Sequence, residues 1–454
     1  MSLENNNKID LYLEEVCIHV KNKDVHDEVS SEIKEHILEI CYDYLDIGYS
    51  EDESINKALE RMGSTREIGS KLNKVHKAKP DFISLSLIVA IITIGVFTLY
   101  SIVSNEAYSS LVSKNILIKN LIASVAGIGI AYRIYNWNYR NLEKYSYHMY
   151  CFACMLVISN YFLGRPINGE GYLSLGGSSL SITLITNFIF IISTVGIIKN
   201  IKLNNKVGYF KLSLIILLPM GLYIINSQLA VGVMYFIELI IVLCFSKISL
   251  YYVGALTSGI ILWGAGIMVS RPYIMFRALG FITSRGDAEG SGWIYNQISN
   301  ILGNATLFGN SKSIVEFPNI ETNLILVYII HSFGWILAIT LITLIVLFII
   351  RSFKVSSKVK DSYGKNLFAG VVTVFFINFI IAILSSFSLA PIYCNLPFVS
   401  ASGSEIVINI AMIGLLSSIY RRRNLIISEK NRENKGRLFE SNLIKRMEAF
   451  LKKC

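Results

Sequence analysis

Ten apolar segments, each long enough or nearly long enough to cross a lipid bilayer, constrain this chain more than any other feature. A membrane-spanning helix needs about 20 mostly apolar residues, because its backbone polar groups must be hydrogen-bonded within the segment. The segments lie near residues 82–103, 116–132, 145–163, 181–198, 210–226, 229–245, 248–269, 324–350, 367–389 and 406–420. The sequence therefore predicts an all-α, polytopic membrane protein with about ten transmembrane helices.

Composition and charge agree with a membrane location. Of 454 residues 53% are hydrophobic and only 16% are charged, which is too apolar for a soluble protein of this length. The net charge of +10 invites comparison with nucleic-acid-binding proteins. Its basic residues, however, form short clusters between apolar segments and no continuous basic face. We therefore expect the membrane, and no nucleic acid, as a partner.

The basic clusters predict how the chain is oriented. They follow the second, fourth, eighth and tenth segments, whereas the loops after the first, third, fifth and ninth are nearly free of Lys and Arg. Under the positive-inside rule both termini are then cytoplasmic. Residues 271–321 become the largest external element, which we expect to fold as a lid or cleft wall. The glycine-rich stretch 164–177 is expected to be a flexible external loop.

The chain divides by pattern into three parts. Residues 1–80 predict a cytoplasmic domain of four short amphipathic helices, with Asp24, Ser50 and Ser64 as N-caps and Gly48 and Gly63 as stops. Residues 81–423 form the membrane domain, in which the glycines of the seventh segment are expected at helix-packing positions. Residues 424–454 form a basic cytoplasmic tail, either an amphipathic helix on the inner leaflet or a solvated segment.

Several stretches of the membrane domain resemble a known family. Residues 396–404 read L-P-F-V-S-A-S-G-S and are similar to the L-P-F-V-S-Y-G-G-S of the FtsW/RodA/SpoVE (SEDS) proteins. Residues 291–297 and 307–309 are similar to its G-Y-Q and G-L-F-G segments, and residues 272–277 to its P-Y-R-x-x-R. The resemblance covers roughly residues 82–423. Residues 50–72 separately resemble the helical permease prefix domain found ahead of several bacterial membrane proteins.

The resemblance implies a role in the cell wall, in cell division, cell shape or sporulation. It implies polymerisation of peptidoglycan from lipid II at the outer membrane face, and a single-pass transpeptidase as partner. Gln297, Pro397, Ser400 and Arg277 would contact substrate. No cofactor is expected, except a divalent metal ion if the chain is active, since the departing pyrophosphate needs compensating positive charge.

The sequence departs from the family where the family is charged. The catalytic aspartate of the family falls on Asn323, and an amide cannot act as a general base near neutral pH. Glu321 is a substitute base if the segment is extended there, whereas on a helix it would face away from Asn323. Two family glutamates fall on His331 and Ser332. The lysine of the family's Q-P-S-E-L-A-K segment falls on Asn187, and an aspartate falls near Gln228.

Three functions follow as hypotheses. The first is a pseudoenzyme of this family, a membrane scaffold or regulator without glycosyl transfer, because the catalytic position is an amide. The second is an active peptidoglycan glycosyltransferase that relies on Glu321 or on a carboxylate of the external loop. The third is a transporter of a lipid-linked sugar, since permease prefix domains also precede transport proteins.

Overall fold

The computed structural model describes residues 6–75, 80–105, 112–113, 115–167, 170–175, 178–201, 203, 205–226, 228–246, 248–270, 281, 293–309 and 319–424. Predicted features at residues 271–280, 282–292, 310–318 and 425–454, Arg277 among them, lie outside the described residues. Contacts between residues divide the chain into two compact units, one of which holds the chain up to Pro80 and the other Asp81–Tyr420.

The first unit consists of four helices around a small apolar core: α1 (Asn7–Ile18), α2 (His26–Asp46), α3 (Glu51–Met62) and α4 (Thr65–Val75). The predicted capping box is present, with Ser50 and Glu53 each accepting a hydrogen bond from the backbone of the other. The predicted cap at Asp24 is wrong. A short 3₁₀ turn, Lys23–Val25, occupies that place, and α2 has no side-chain cap.

The second unit has a helix at each of the ten predicted segments. They are α5 (Phe82–Ser104), α6 (Ile116–Asn136), α8 (Ser146–Leu163), α9 (Ile182–Asn200), α10 (Lys206–Ile225), α11 (Leu229–Phe245), α12 (Leu250–Ser270), α14 (Ile325–Ser356), α15 (Ser362–Ser386) and α16 (Gly403–Arg421), with the shorter α7 (Asn141–Lys144) and α13 (Trp293–Gly303) between them. Seven are long and apolar enough to cross a membrane by length and composition. The chain is a multi-pass membrane protein.

Polar contacts gather the basic loops at one end of the bundle. At the start of α5, Asp81 forms an ion pair with Arg351 near the end of α14. The Tyr139 hydroxyl, in the loop after α6, donates to Asp361 just before α15 at 3.0 Å. These contacts define what we call the basic-loop end. The opposite end lies where α5 finishes and α14 begins, and there the hydroxyls of Ser101 and Tyr328 are 2.9 Å apart.

A three-stranded antiparallel sheet, β1 (Arg165–Ile167), β2 (Glu170–Leu175) and β3 (Ser178–Ser181), lies between α8 and α9 in the order β1-β2-β3. The expectation of a flexible loop here was wrong. Residues 168–169 read Asn-Gly and residues 176–177 read Gly-Gly, which are the dipeptides that favour two-residue hairpin turns. The structure therefore contradicts a loop at 165–167, 170–175 and 178–181, which are strands.

The glycines of α12 do not lie at close helix contacts. Among the described residues, no atom lies within 4 Å of a Cβ atom added to Gly254, Gly259, Gly264 or Gly266. Gly259 instead lines an apolar groove between α10 and α12. The prediction that these glycines are helix-packing positions is therefore wrong.

Candidate functional site

Helix α14 is broken at Gly334, next to the positions where the family has paired glutamates. Gly334 has φ 85° and ψ 178°, which is outside the helical region and reachable at low cost only by glycine. The amides of Trp335 and Ile336 donate to the carbonyls of Thr306 and Leu307, at 3.2 and 3.3 Å. A Cβ on Gly334 would collide with the Leu307 carbonyl oxygen. The break thus holds two of the segments that resemble the family, 307–309 and 333–334, against each other.

Glu321 and Asn323 lie in a turn immediately before α14. Asn319 opens the turn with φ 61°, and its carbonyl accepts the amide of Leu324 at 3.3 Å. The segment is therefore neither the strand nor the helix that the sequence left open. Both side chains are partly exposed at the opposite end of the bundle.

The turn is fastened to the segment that resembles the family most closely. The Ala401 amide donates to the Glu321 carbonyl at 2.8 Å, and the Ser400 hydroxyl donates to the Thr322 carbonyl at 2.7 Å. The same hydroxyl accepts the Leu396 amide at 2.8 Å. Ser400 and Pro397 are buried. The Ser400 hydroxyl therefore holds two backbone segments together.

Two carboxylates at this end are placed differently. Burial raises the pKa of Glu321 above its usual value, since removal from water disfavours the charged form. Glu405, in the first turn of α16, accepts a hydrogen bond from the side-chain amide of Asn395 at 2.8 Å. The sequence analysis did not single out Glu405. The available signal in the sequence was that Glu405 directly follows residues 396–404, the stretch that resembles the family.

Gln297 is partly buried on α13. The ring of Tyr295, on the same helix, stacks on Tyr393 with centroids 6.3 Å apart. Helix α13 thus packs beside the segment that leads to Pro397 and Ser400. His331 is partly exposed on the short part of α14 that precedes the break.

Inside the bundle the structure brings together positions that were predicted to have lost family charges. The Gln228 side-chain amide donates to the Thr183 hydroxyl at 3.2 Å, where α11 and α9 begin. Deeper, the Asn187 amide donates to Glu238 at 2.8 Å. Glu238 is fully buried and was missed in the sequence. The signal was a single carboxylate within the apolar segment 229–245, where charge is costly and usually functional.

Comparison with known proteins identifies this arrangement. A family model described as cell cycle protein, FtsW/RodA/SpoVE, matches residues 82–425. The chain is 27% identical over 165 residues to the peptidoglycan glycosyltransferase RodA of Treponema pallidum, covering 35% of this chain and 38% of that protein. It is 24% identical over 328 residues to the probable peptidoglycan glycosyltransferase FtsW of Wigglesworthia glossinidia brevipalpis, covering 66% and 82%.

Solved structures show the same fold. RodA of Thermus thermophilus superposes with a TM-score of 0.58 at 17% identity, covering 77% of this chain and 99% of that one. A chain from a study of how a peptidoglycan synthase complex coordinates polymerization and crosslinking gives a TM-score of 0.64 at 16% identity, covering 76% and 98%.

Proposed function

The chain belongs to the FtsW/RodA/SpoVE family, and from that premise we propose that it is a cell-wall membrane protein that acts as a scaffold or regulator without glycosyl transfer. The carrying observation is Asn323, which occupies the position that the resemblance assigns to the catalytic aspartate. In the turn 319–324 this side chain is partly exposed, but it presents an amide. A general base must accept a proton near neutral pH, and an amide does not.

Neutral groups at the other family positions support the same proposal. Gln228, near the position of a family aspartate, has a neutral amide that donates to Thr183, and Ser332 offers a hydroxyl in place of a carboxylate. Polymerisation at a membrane needs fixed charges around the pyrophosphate, because they are what stabilises charge developing in the transition state. A family member without these charges keeps the fold, and with it the surface that a partner would bind.

The proposed orientation has both termini in the cytoplasm of a bacterium. The contacts at the basic-loop end support it, since Asp81, Tyr139, Arg351 and Asp361 bring the start of α5 and two basic loops to one side. By the positive-inside rule this side faces the cytoplasm. Glu321 and Ser400 would then face outward, where a single-pass transpeptidase is the proposed partner.

An active peptidoglycan glycosyltransferase is the second candidate, because one observation favours it. Glu321 is half-buried, and burial raises its pKa. A carboxyl whose pKa is moved toward neutral pH is suited to general acid–base catalysis. In that case lipid II is the substrate, with Gln297, Arg277 and Pro397 as proposed contacts and a divalent metal ion as an assistant. Among the described residues no observation favours transport of a lipid-linked sugar.

Polymerisation of lipid II by the purified chain separates the two candidates. We expect no glycan product from the wild type, with or without a divalent cation, while an active FtsW/RodA protein in the same detergent serves as positive control. A wild type that makes polymer, and loses this activity on Glu321→Gln but not on the matched change Glu143→Gln at the basic-loop end, would establish the second candidate.

The scaffold role has its own measurement. Co-purification with a single-pass transpeptidase from the same bacterium should be unchanged by Asn323→Ala, because that side chain is not proposed to hold the partner. If the chain neither forms such a complex nor polymerises lipid II, the proposed scaffold role is contradicted, although the family assignment remains.

A further inference from the structure

Glu238 is a carboxyl buried in the interior of a membrane-spanning helix bundle. It lies nine residues after the start of α11, about 13 Å along the helix, and is fully buried. Asn187 on α9 is 3% exposed, and its Nδ2 donates to Glu238 Oε2 at 2.8 Å. None of the ion pairs found among the described residues involves Glu238.

The pair leaves two oxygens without partners. Glu238 Oε1 and Asn187 Oδ1 are both buried and accept no hydrogen bond from the part of the chain that the structure describes. A buried polar atom without a partner costs about 1–3 kcal/mol, and an ionised carboxylate in hydrocarbon costs more. Each of the two oxygens therefore requires a hydrogen-bond donor.

The surroundings offer no positive side chain. In the five helices α9, α10, α11, α12 and α15 every Lys is near the basic-loop end: Lys199, Lys206, Lys211 and Lys365. Lys199 is 12 residues beyond Asn187 on α9, a separation of about 18 Å. The titratable groups that interact electrostatically with Glu238 are the phenols of Tyr223 on α10 and Tyr235 on α11. Both phenols are neutral at physiological pH.

We propose that Glu238 binds a proton and forms a neutral acid–amide pair with Asn187. Asn187 Nδ2 donates to Glu238 Oε2, and the proton on Glu238 Oε1 is donated to Asn187 Oδ1. One proton, taken from solvent, thereby neutralises the carboxylate and satisfies both unpartnered oxygens. The pair joins α9 to α11 and makes the interior of this bundle a proton-binding site.

Other polar groups lie between the site and the opposite end of the bundle. Above it, toward the opposite end, the Thr186 and Tyr223 hydroxyls are 2.9 Å apart, and Gln228 donates to Thr183. These groups, Thr183, Thr186 and Asn187, follow one another along α9. The proton-binding site does not depend on whether the chain polymerises glycan, because it rests on Asn187 and Glu238 alone.

Infrared spectroscopy of the full-length chain in lipid nanodiscs, with ¹³C-labelled glutamate, tests the proposal. A protonated carboxyl has a C=O stretching band that a carboxylate lacks. We expect one such band in the wild type at neutral pH, unchanged when sodium is replaced by choline. The band should be lost in Glu238→Gln and kept in the matched variant Glu143→Gln, whose carboxylate is paired with Lys199.

Other outcomes overturn the proposal. A wild type with no protonated band at neutral pH has an ionised Glu238, and thermal stabilisation by sodium but not by choline would show that a cation replaces the proton. A band that survives Glu238→Gln belongs to another carboxyl. If Glu238→Gln does not fold, the wild-type band is followed as the pH is raised. The band must persist at pH values at which the exposed carboxyls of the first unit have ionised.

Discussion

Carboxylates at the basic-loop end have different kinds of partner from carboxylates in the middle of the bundle or at its opposite end. Asp81 is paired with the guanidinium of Arg351. Glu238, in the middle of the bundle, is paired with the neutral amide of Asn187. A charged partner stabilises an ionised carboxylate, whereas an amide stabilises either form only weakly. The first kind of pair is a structural ion pair, and the second requires the carboxyl itself to change its charge state.

The same difference recurs at a second pair of sites. Glu143 lies 3.0 Å from the Lys199 ammonium at the basic-loop end. Glu405, at the opposite end, accepts a hydrogen bond from the side-chain amide of Asn395. In the membrane domain the ion pairs thus join the basic loops. The carboxylates with amide partners lie in the middle of the bundle and at its opposite end.

Loss of the Asp81 carboxylate is expected to have the largest effect. Asp81→Ala leaves Arg351 beside a nearly buried site without its counter-charge and removes the N-cap of α5. We expect a loss of about 3 kcal/mol in the free energy of unfolding, measured in detergent. Asp81→Asn keeps the N-cap and should therefore lose less of the free energy of unfolding than Asp81→Ala. A loss below about 1 kcal/mol would mean that the pair behaves like an exposed one.

The Asn187–Glu238 pair should give an intermediate effect that depends on which partner remains. Asn187→Leu leaves the carboxyl without its donor and should cost about 1–3 kcal/mol. Combining Asn187→Leu with Glu238→Leu should recover most of that loss, since both polar groups are then absent. Additive losses in the double variant would contradict a direct pairing between α9 and α11.

Ser400→Ala should cost about 1–2 kcal/mol, since it removes the contact that joins the turn 319–324 to the segment before α16. The Thr322 carbonyl and the Leu396 amide would both lose a partner. Thermal unfolding measures the loss, and Ser402→Ala, at a partly exposed position, is the matched control. If Ser400→Ala and Ser402→Ala lowered the melting temperature equally, the Ser400 hydrogen bonds would not stabilise the contact between the two segments.

The smallest effect is expected from Glu321, as a dependence of stability on pH. Burial raises its pKa, so the folded chain holds this proton more tightly than the unfolded chain. Stability should therefore fall as pH rises from the ordinary glutamate range through the raised pKa, and be level on either side. Comparing melting temperatures of wild type and Glu321→Gln across this range isolates the contribution. If the stability difference between wild type and Glu321→Gln rose with pH in that range, the pKa of Glu321 would be lowered by folding, which would contradict the prediction.

Parts of the fold were readable because their causes are local. The ten helices were predicted at their places, since each segment must hydrogen-bond its own backbone in hydrocarbon. The Ser50 capping box was predicted from two residues three positions apart. The antiparallel strands of the small sheet also had a local signal in the sequence, the Asn-Gly and Gly-Gly dipeptides, which the prediction of a loop did not use.

The site was only partly readable, because its contacts join residues far apart in the chain. The sequence by itself determined a polytopic membrane bundle and an amide at Asn323. Tertiary structure alone decided that α14 breaks at Gly334 around residues 306–309, and that Ser400 fastens the turn of Glu321. It also set Asn187 against Glu238, 51 residues away. Apolar periodicity specifies that a helix crosses the membrane, but the neighbour of each polar side chain is set by how the helices pack.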